Sequence, residues 1–276
     1  MPKTRSRWRP VLAVVIVVVV AAAIGVTVLH HGIEHLVNGC EADGGGNPVM
    51  LGTGQAAIAS TIAGVARERQ LPAKAVTIAY ATAWQESKLT NLDYGTLDSV
   101  GVFQQRPSEG WGTRKQLTDP VYATGKFFAA LVKVPGYRHL PVYQAAQDVQ
   151  RSADGSAYQN YEGEAALMSG PFTGGRPHAV WCWYPQSSQT SPQMSKLRAE
   201  LQRTFGQLEV RDDASSSAVR VSRPAAGWAV ASWLVTHATA YGLTNVRYAG
   251  YQWSLTAGSD GWTRDTTARG GTVELR

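Results

Sequence analysis

A helix that is apolar on almost every side most strongly constrains how this chain of 276 residues can fold. Its segment, residues 73–88, shows no polar face, and its apolar positions are Val76, Ile78, Ala79, Tyr80, Ala81, Ala83 and Trp84. Such a helix should lie buried at the centre of a domain. Glu86 stands in its last turn, where the helix dipole and the apolar surroundings both disfavour a negative charge. The pattern therefore predicts a carboxyl group held neutral, the kind of proton donor that glycosidic-bond cleavage requires.

The N-terminus predicts a membrane anchor. Residues 1–10 carry four basic side chains, and residues 11–29 carry no charged or strongly polar one, over a length that can cross a bilayer core of ~30 Å. By the positive-inside rule, residues 1–10 form a cytoplasmic tail, residues 11–29 a single transmembrane helix, and the rest is exported, so the protein belongs to the cell membrane with its C-terminal domains outside. A cleaved signal peptide is the alternative, although the apolar run is longer than a usual signal core.

The net charge argues against a nucleic-acid partner, and the two cysteines predict a disulfide rather than a metal site. The formal net charge is +6, and the exported part keeps only +2 once the tail is set aside, which is too little to predict a nucleic-acid partner. Cys40 and Cys182 both lie on the exported side, where disulfides persist, so we predict one bridge worth roughly 4–5 kcal/mol. Two unrelated buried thiols are the alternative. Neither cysteine has the spacing of a metal site, and we predict no metal and no cofactor.

The order of the elements predicts an α+β protein that is mainly helical. Residues 30–54 are a Gly-rich linker, 55–206 a mainly helical domain with a turn-rich stretch at 90–112, 207–218 a polar linker, and 219–276 a small α/β unit. Helices are predicted over 55–69, 73–88, 120–134, 142–152, 158–168, 225–241 and in a segment ending at 205. Strands are predicted over 245–248, 252–256 and 272–275.

Amides and aromatic rings follow Glu86 in the turn-rich stretch. Gln104 and Gln105 offer both donors and acceptors, which suits N-acetyl groups and sugar hydroxyls. Phe103 and Trp111 offer flat apolar faces on which sugar rings stack. A plain polar loop and core rings are the alternative interpretation. The nearest other carboxylates are Asp93 and Asp98, and Asp98 before a turn is more typical of a local cap.

The run Glu86-Ser87, followed by Ser99-Val100-Gly101-Val102-Phe103-Gln104, resembles the Glu-Ser … Ser-x-Gly-Leu-Met/Phe-Gln signature of soluble lytic transglycosylases and goose-type lysozymes. More closely, residues 71–182 resemble a group of membrane-anchored actinobacterial proteins with a lysozyme-like domain, through the runs 85–113, 119–123 and 145–152. The resemblance implies a lysozyme-like α+β fold and cleavage of peptidoglycan, with Glu86 as the only acid/base and Gln104 in the sugar-binding cleft. The Ala-Tyr-Asn of the transglycosylases corresponds here to Ala145-Ala146-Gln147, without Tyr or Asn.

We therefore predict an exported, membrane-anchored enzyme that cleaves peptidoglycan glycan strands as a lytic transglycosylase or a lysozyme-like muramidase. Its partners would be the glycan strands and, through the anchor, the cytoplasmic membrane. The predicted substrate-binding residues are Ser87, Ser99, Gln104, Gln105, Trp111 and Gln147. The alternative is a non-catalytic cell-wall-binding or scaffold protein with a degenerate lysozyme-like domain. It is supported by the missing Tyr-Asn pair, and Trp253 and Trp262 would then add a second binding surface.

Overall fold

The computed structural model describes residues 38–151, 156–185, 190–212 and 216–276, and over these ranges the protein is a mixed α+β structure. Ten α-helices and nine strands in two sheets occupy the described ranges. The predicted cytoplasmic tail (1–10) and transmembrane helix (11–29) lie outside them. Within the described ranges, no helix has both the length and the apolar character needed to cross a membrane.

Two adjacent helices form the centre of the fold, α1 (Thr53–Glu68) and α2 (Ala73–Ser87). Every residue of α2 from position 75 to 83 is buried, which confirms the burial expected from its apolar circumference. The wholly buried Tyr80 donates a hydrogen bond of 2.8 Å to the backbone carbonyl of Ala59 in α1. This bond fixes how the two helices lie against each other.

The remaining helices surround this pair. They are α3 (Arg114–Leu117), α4 (Pro120–Leu131), α5 (Val142–Gln150), α6 (Ser156–Gln159), α7 (Glu162–Phe172), α8 (Met194–Phe205), α9 (Pro224–Thr236) and α10 (Ala238–Tyr241). Helices α4, α5 and α7 pack against α2 and close its other sides. Asp119 caps α4 by accepting the backbone N–H of Val121 at 3.0 Å, as the Asp-Pro sequence predicts.

Two predicted helices are each divided in the structure. The helix predicted over 158–168 is the pair α6 and α7, and the helix predicted over 225–241 is the pair α9 and α10. At the second break, the side chains of Thr236 and His237 both bond to the backbone carbonyl of Trp233, at 3.0 Å and 2.9 Å. Side chains that compete for a helical carbonyl in this way favour the end of a helix.

A small antiparallel sheet has the strand order β2-β1-β3, with β1 (Gly39–Ala42), β2 (Val49–Leu51) and β3 (Val180–Trp183). Residues 39–42 and 49–51 were predicted to belong to the linker 30–54, but they form strands. β2 pairs with its neighbour β1, and β1 pairs on its other side with the distant β3, a contact that no local pattern reveals. Cys40 lies directly opposite Cys182 in this pairing, and the two form the predicted disulfide.

A six-stranded antiparallel sheet contains the C-terminal strands in the order β4-β5-β9-β6-β7-β8. The strands are β4 (Val210–Asp212), β5 (Ser217–Arg220), β6 (Asn245–Tyr248), β7 (Tyr251–Ser254), β8 (Thr263–Arg264) and β9 (Thr272–Leu275). The predicted linker 207–218 thus supplies β4 and the start of β5, which pair with each other.

Residues 39–276 form one compact unit with a shared core. Helix α9 packs on both α1 and β6, so the predicted units 55–206 and 219–276 bury apolar surface against each other. The indole N–H of Trp253 donates to the carbonyl of Cys182 at 2.8 Å, and that of Trp262 to the carbonyl of Val180 at 2.7 Å. Trp253 is fully buried, so the prediction that it contributes to a second binding surface is wrong.

Candidate active site

Glu86 lies half-buried in the last turn of α2, at a tightly fixed helix end. The next two residues, Lys88 at the C-cap and Leu89, both have left-handed φ angles, 56° and 55°. Their backbone N–H groups bond to the carbonyls of Trp84 and Ala83, each at 3.1 Å, and the Leu89 side chain is fully buried. Left-handed backbone is costly for residues with a side chain, so the burial of Leu89 must offset local strain. The position of Glu86 is therefore strongly determined.

The phenol of Tyr158 holds the Glu86 side chain. Tyr158 belongs to the short helix α6 and is almost completely buried, and its hydroxyl donates to Oε1 of Glu86 at 2.7 Å. Sequence reasoning missed this partner because it stands 72 residues after Glu86 and carries no local signal. The partner is a neutral hydroxyl donor, so Glu86 receives this hydrogen bond without being locked into an ion pair.

Stacked aromatic rings stand at the same end of α2. Trp84 and Tyr161 lie parallel, with an angle of 9° between planes and 6.2 Å between ring centroids. The ammonium group of Lys88 lies 4.2 Å from the centre of the Tyr161 ring and also donates to its hydroxyl. Both rings are only half-buried, so part of their surface is available to a ligand. Flat apolar faces of this kind are suited to binding a sugar ring.

Ser87 joins the end of α2 to the turn-rich segment. Its buried hydroxyl donates to the carbonyl of Val102 at 2.7 Å and accepts the backbone N–H of Thr90 at 3.2 Å. From the other side, the Gln150 amide of α5 donates to the carbonyl of Phe103 at 2.8 Å. The helix end, the turn and α5 therefore hold one another in place, and the turn carries Gln104 next to these anchored residues.

The two predicted amide residues have different environments. Gln104 is half-buried with a left-handed φ of 47°, and its amide nitrogen donates to the carbonyls of Tyr94 and Gly101, at 3.3 Å and 3.2 Å. Gln105 is buried, pairs its backbone with Val100 in both directions, and donates its amide to the carbonyl of Ala123 at 3.4 Å. Gln105 therefore faces the protein interior, whereas Gln104 stands at the surface of the turn.

The other predicted binding residues are dispersed. Ser99 is buried inside the turn. Gln147 is half-buried on α5. Trp111 lines a separate pocket of about 550 Å³, together with Asp148, Arg151 and two lysines, and Glu86 is not among the described residues that line it. The structure thus gathers Glu86, Ser87 and the Gln104 turn, and places Trp111 in another cavity.

Asp98 is a structural anion. Its carboxylate accepts Nε of Arg106 at 2.8 Å and the backbone N–H of Ser108 at 2.8 Å. The hydrogen bond from Arg106, followed by that from Ser108, lowers the pKa of Asp98 to about 2. Asp98 therefore caps the short 3-10 turn at Pro107–Glu109 rather than its own turn. A carboxylate that is ionised at almost every working pH is not a proton donor.

Among the described residues, no group of three His, Cys, Asp or Glu side chains is arranged to hold a metal ion. The sequence matches no protein-family model and no curated protein.

Proposed function

We propose that this protein cleaves the glycan strands of peptidoglycan with Glu86 as its acid/base, in a lysozyme-like domain held at the outer face of the cell membrane. The observation that carries the proposal is the hydrogen bond from Tyr158 to the half-buried Glu86 at the end of a buried helix. This bond fixes the orientation of one carboxyl group, and two half-exposed aromatic rings, Trp84 and Tyr161, stand at the same helix end. The sequence resemblance to lytic transglycosylases and goose-type lysozymes, which rests on the run around Glu86-Ser87, supports the same chemistry.

The proposed reaction uses Glu86 twice. As an acid it gives its proton to the glycosidic oxygen between N-acetylmuramic acid and N-acetylglucosamine, and the bond from that oxygen to the anomeric carbon breaks. The substrate's own acetamide or 6-hydroxyl then attacks the anomeric carbon, and Glu86 takes up the proton that is released. A second carboxylate is not required, which agrees with the structural role of Asp98.

The other residues have supporting roles in this proposal. Tyr158 is a positioning residue, because its hydroxyl can donate to Oε1 whether Glu86 is protonated or ionised. Gln104 and Gln147, both half-buried, are the amides that would contact sugar. Ser87, Ser99 and Gln105 are buried, and they act by shaping the turn that carries Gln104.

The test is the release of soluble muropeptides from purified peptidoglycan by the full chain in neutral detergent. Glu86→Gln keeps the size of the side chain and removes the proton donor, so turnover should fall on the order of 10²–10⁴-fold while binding to glycan strands persists. Glu209→Gln is the matched control, since it removes an exposed carboxylate whose surface ion pairs contribute little to stability. Equal digestion by Glu86→Gln and the unaltered chain would show that Glu86 is not the acid.

Tyr158→Phe tests the positioning role separately. It should lower kcat about tenfold, the effect of one lost hydrogen bond of roughly 1.4 kcal/mol, and leave KM nearly unchanged. If the unaltered chain binds glycan strands but releases no muropeptides at any pH, the protein is instead a non-catalytic wall-binding protein.

A further inference from the structure

A second pocket lies at the opposite end of α2 from Glu86. Its volume is about 560 Å³, and its polar and helix-end lining residues are Arg67, Gln70, Ala73, Thr173, Ser222 and Arg223. A rise of about 1.5 Å per residue along α2 places Ala73 roughly 20 Å from Glu86. The pocket is therefore distinct from the candidate active site, and an inference about it does not depend on the proposed reaction.

Arg67 and Arg223 are the only charged side chains among the described residues that line this pocket, and neither forms an ion pair with a described Asp or Glu. Arg67 is half-buried at the end of α1. Burial and the repulsion from Arg223 both lower its pKa. Two like charges that share a pocket without a counter-charge destabilise the empty protein, and an anion bound between them would remove this cost.

The geometry of the donors selects the kind of anion. Each guanidinium group is a planar fork of N–H donors, and one fork satisfies both oxygens of a carboxylate. A phosphate group has more oxygens, arranged tetrahedrally, and can accept from two forks that approach from different chain segments. The exposed amide of Gln70 and hydroxyl of Ser222 add neutral donors at the rim.

The ends of four helices lie at the pocket beside the arginine pair. Ala73 begins α2 and Arg223 is the N-cap of α9, whereas Arg67 and Thr173 stand at the C-terminal ends of α1 and α7. Because helix N-termini and C-termini carry opposite partial charges, the positive charge of the pocket comes from the two guanidinium groups. We propose that this pocket binds a phosphate group through Arg67 and Arg223, either as free phosphate or as a glycerol phosphodiester.

The test is calorimetric titration of the full chain in neutral detergent, at constant ionic strength, with inorganic phosphate, glycerophosphoglycerol and acetate. We expect saturable binding of a phosphate probe at one site. Arg67→Gln and Arg223→Gln should each weaken it by roughly 10- to 100-fold, as loss of a charge-assisted hydrogen bond does. Arg138→Gln, which removes an exposed arginine elsewhere, is the matched control for net charge. Tighter binding of inorganic phosphate identifies free phosphate as the ligand, and tighter binding of glycerophosphoglycerol identifies the diester.

A stability measurement separates ligand binding from a structural role. Without phosphate, Arg67→Gln should have a Tm equal to or above that of the unaltered chain, because the repulsion from Arg223 is gone. A lowered Tm would assign Arg67 to the structure of the empty protein. The proposal is overturned by that result, by the absence of saturable phosphate binding, by variants that bind as tightly as the control, or by acetate that binds as tightly as phosphate.

Discussion

Replacing Ser87 with Ala tests whether this residue contacts substrate or holds the active-site turn. Its hydroxyl is buried, donates to the carbonyl of Val102 at 2.7 Å and accepts the N–H of Thr90 at 3.2 Å. The substitution removes one oxygen atom and leaves a buried carbonyl and a backbone N–H without that partner. A buried group left unsatisfied costs about 1–3 kcal/mol, so we expect the free energy of unfolding to fall by about 2 kcal/mol.

Urea denaturation followed by tryptophan fluorescence measures this loss. With an m-value on the order of 3 kcal/mol/M, a loss of about 2 kcal/mol lowers the denaturation midpoint by roughly 0.7 M. Ser195→Ala, an exposed position in α8, is the control and should stay within about 0.5 kcal/mol of the unaltered chain. The turn that carries Gln104 should also lose its fixed position, so kcat for muropeptide release should fall in Ser87→Ala. Unchanged stability together with a raised KM would refute this reasoning and show that the hydroxyl binds sugar.

Two further predictions concern stability. Replacing both Cys40 and Cys182 with Ala should lower the free energy of unfolding by roughly 4–5 kcal/mol, because the bridge closes a loop with a sequence separation of 142; two thiols that can be alkylated in the native protein would contradict the bridge. His237 stacks on Trp233 with 4.0 Å between ring centroids, and burial lowers its pKa from 6.5 to about 4. Because the unfolded chain takes up this proton first, stability should fall as the pH drops from about 6.5 to about 4. His237→Gln should flatten this part of the pH profile of Tm, and an identical profile in both proteins would count against the burial of a neutral imidazole.

Local pattern predicted most of the helical part of the fold, but it missed α3 and the breaks within two of the predicted helices. An apolar circumference predicted the burial of α2 because a helix without a polar face must be covered on all sides. Asp119-Pro120 predicted the start of α4 because a cap and the first helical residue act within one turn. Strands β1, β2, β3, β4, β5 and β8 escaped prediction because each has only two to four residues. The pairing of β1 with β3 also joins distant segments, which local sequence does not specify.

In the candidate site, two adjacent residues show the difference between what the sequence predicts and what the folded backbone decides. Gln104 and Gln105 are identical side chains at consecutive positions, and the sequence alone offered both as sugar ligands. The left-handed backbone of Gln104 and the pairing of Gln105 with Val100 direct one to the surface of the turn and the other to the interior. The difference arises from the folded backbone.

The sequence by itself determined that a carboxyl group ends a buried helix, and that the chain has two cysteines able to pair. The tertiary structure alone decided that Tyr158 donates to Glu86, that the C-terminal sheet shares the core of the helices, and that Arg67 and Arg223 meet in one pocket. Helical periodicity, capping and the apolar face of a helix each involve residues that are close together in the sequence, so they can be identified from the sequence. Contacts between distant segments depend on how the whole chain packs, because many pairings are compatible with the same local pattern.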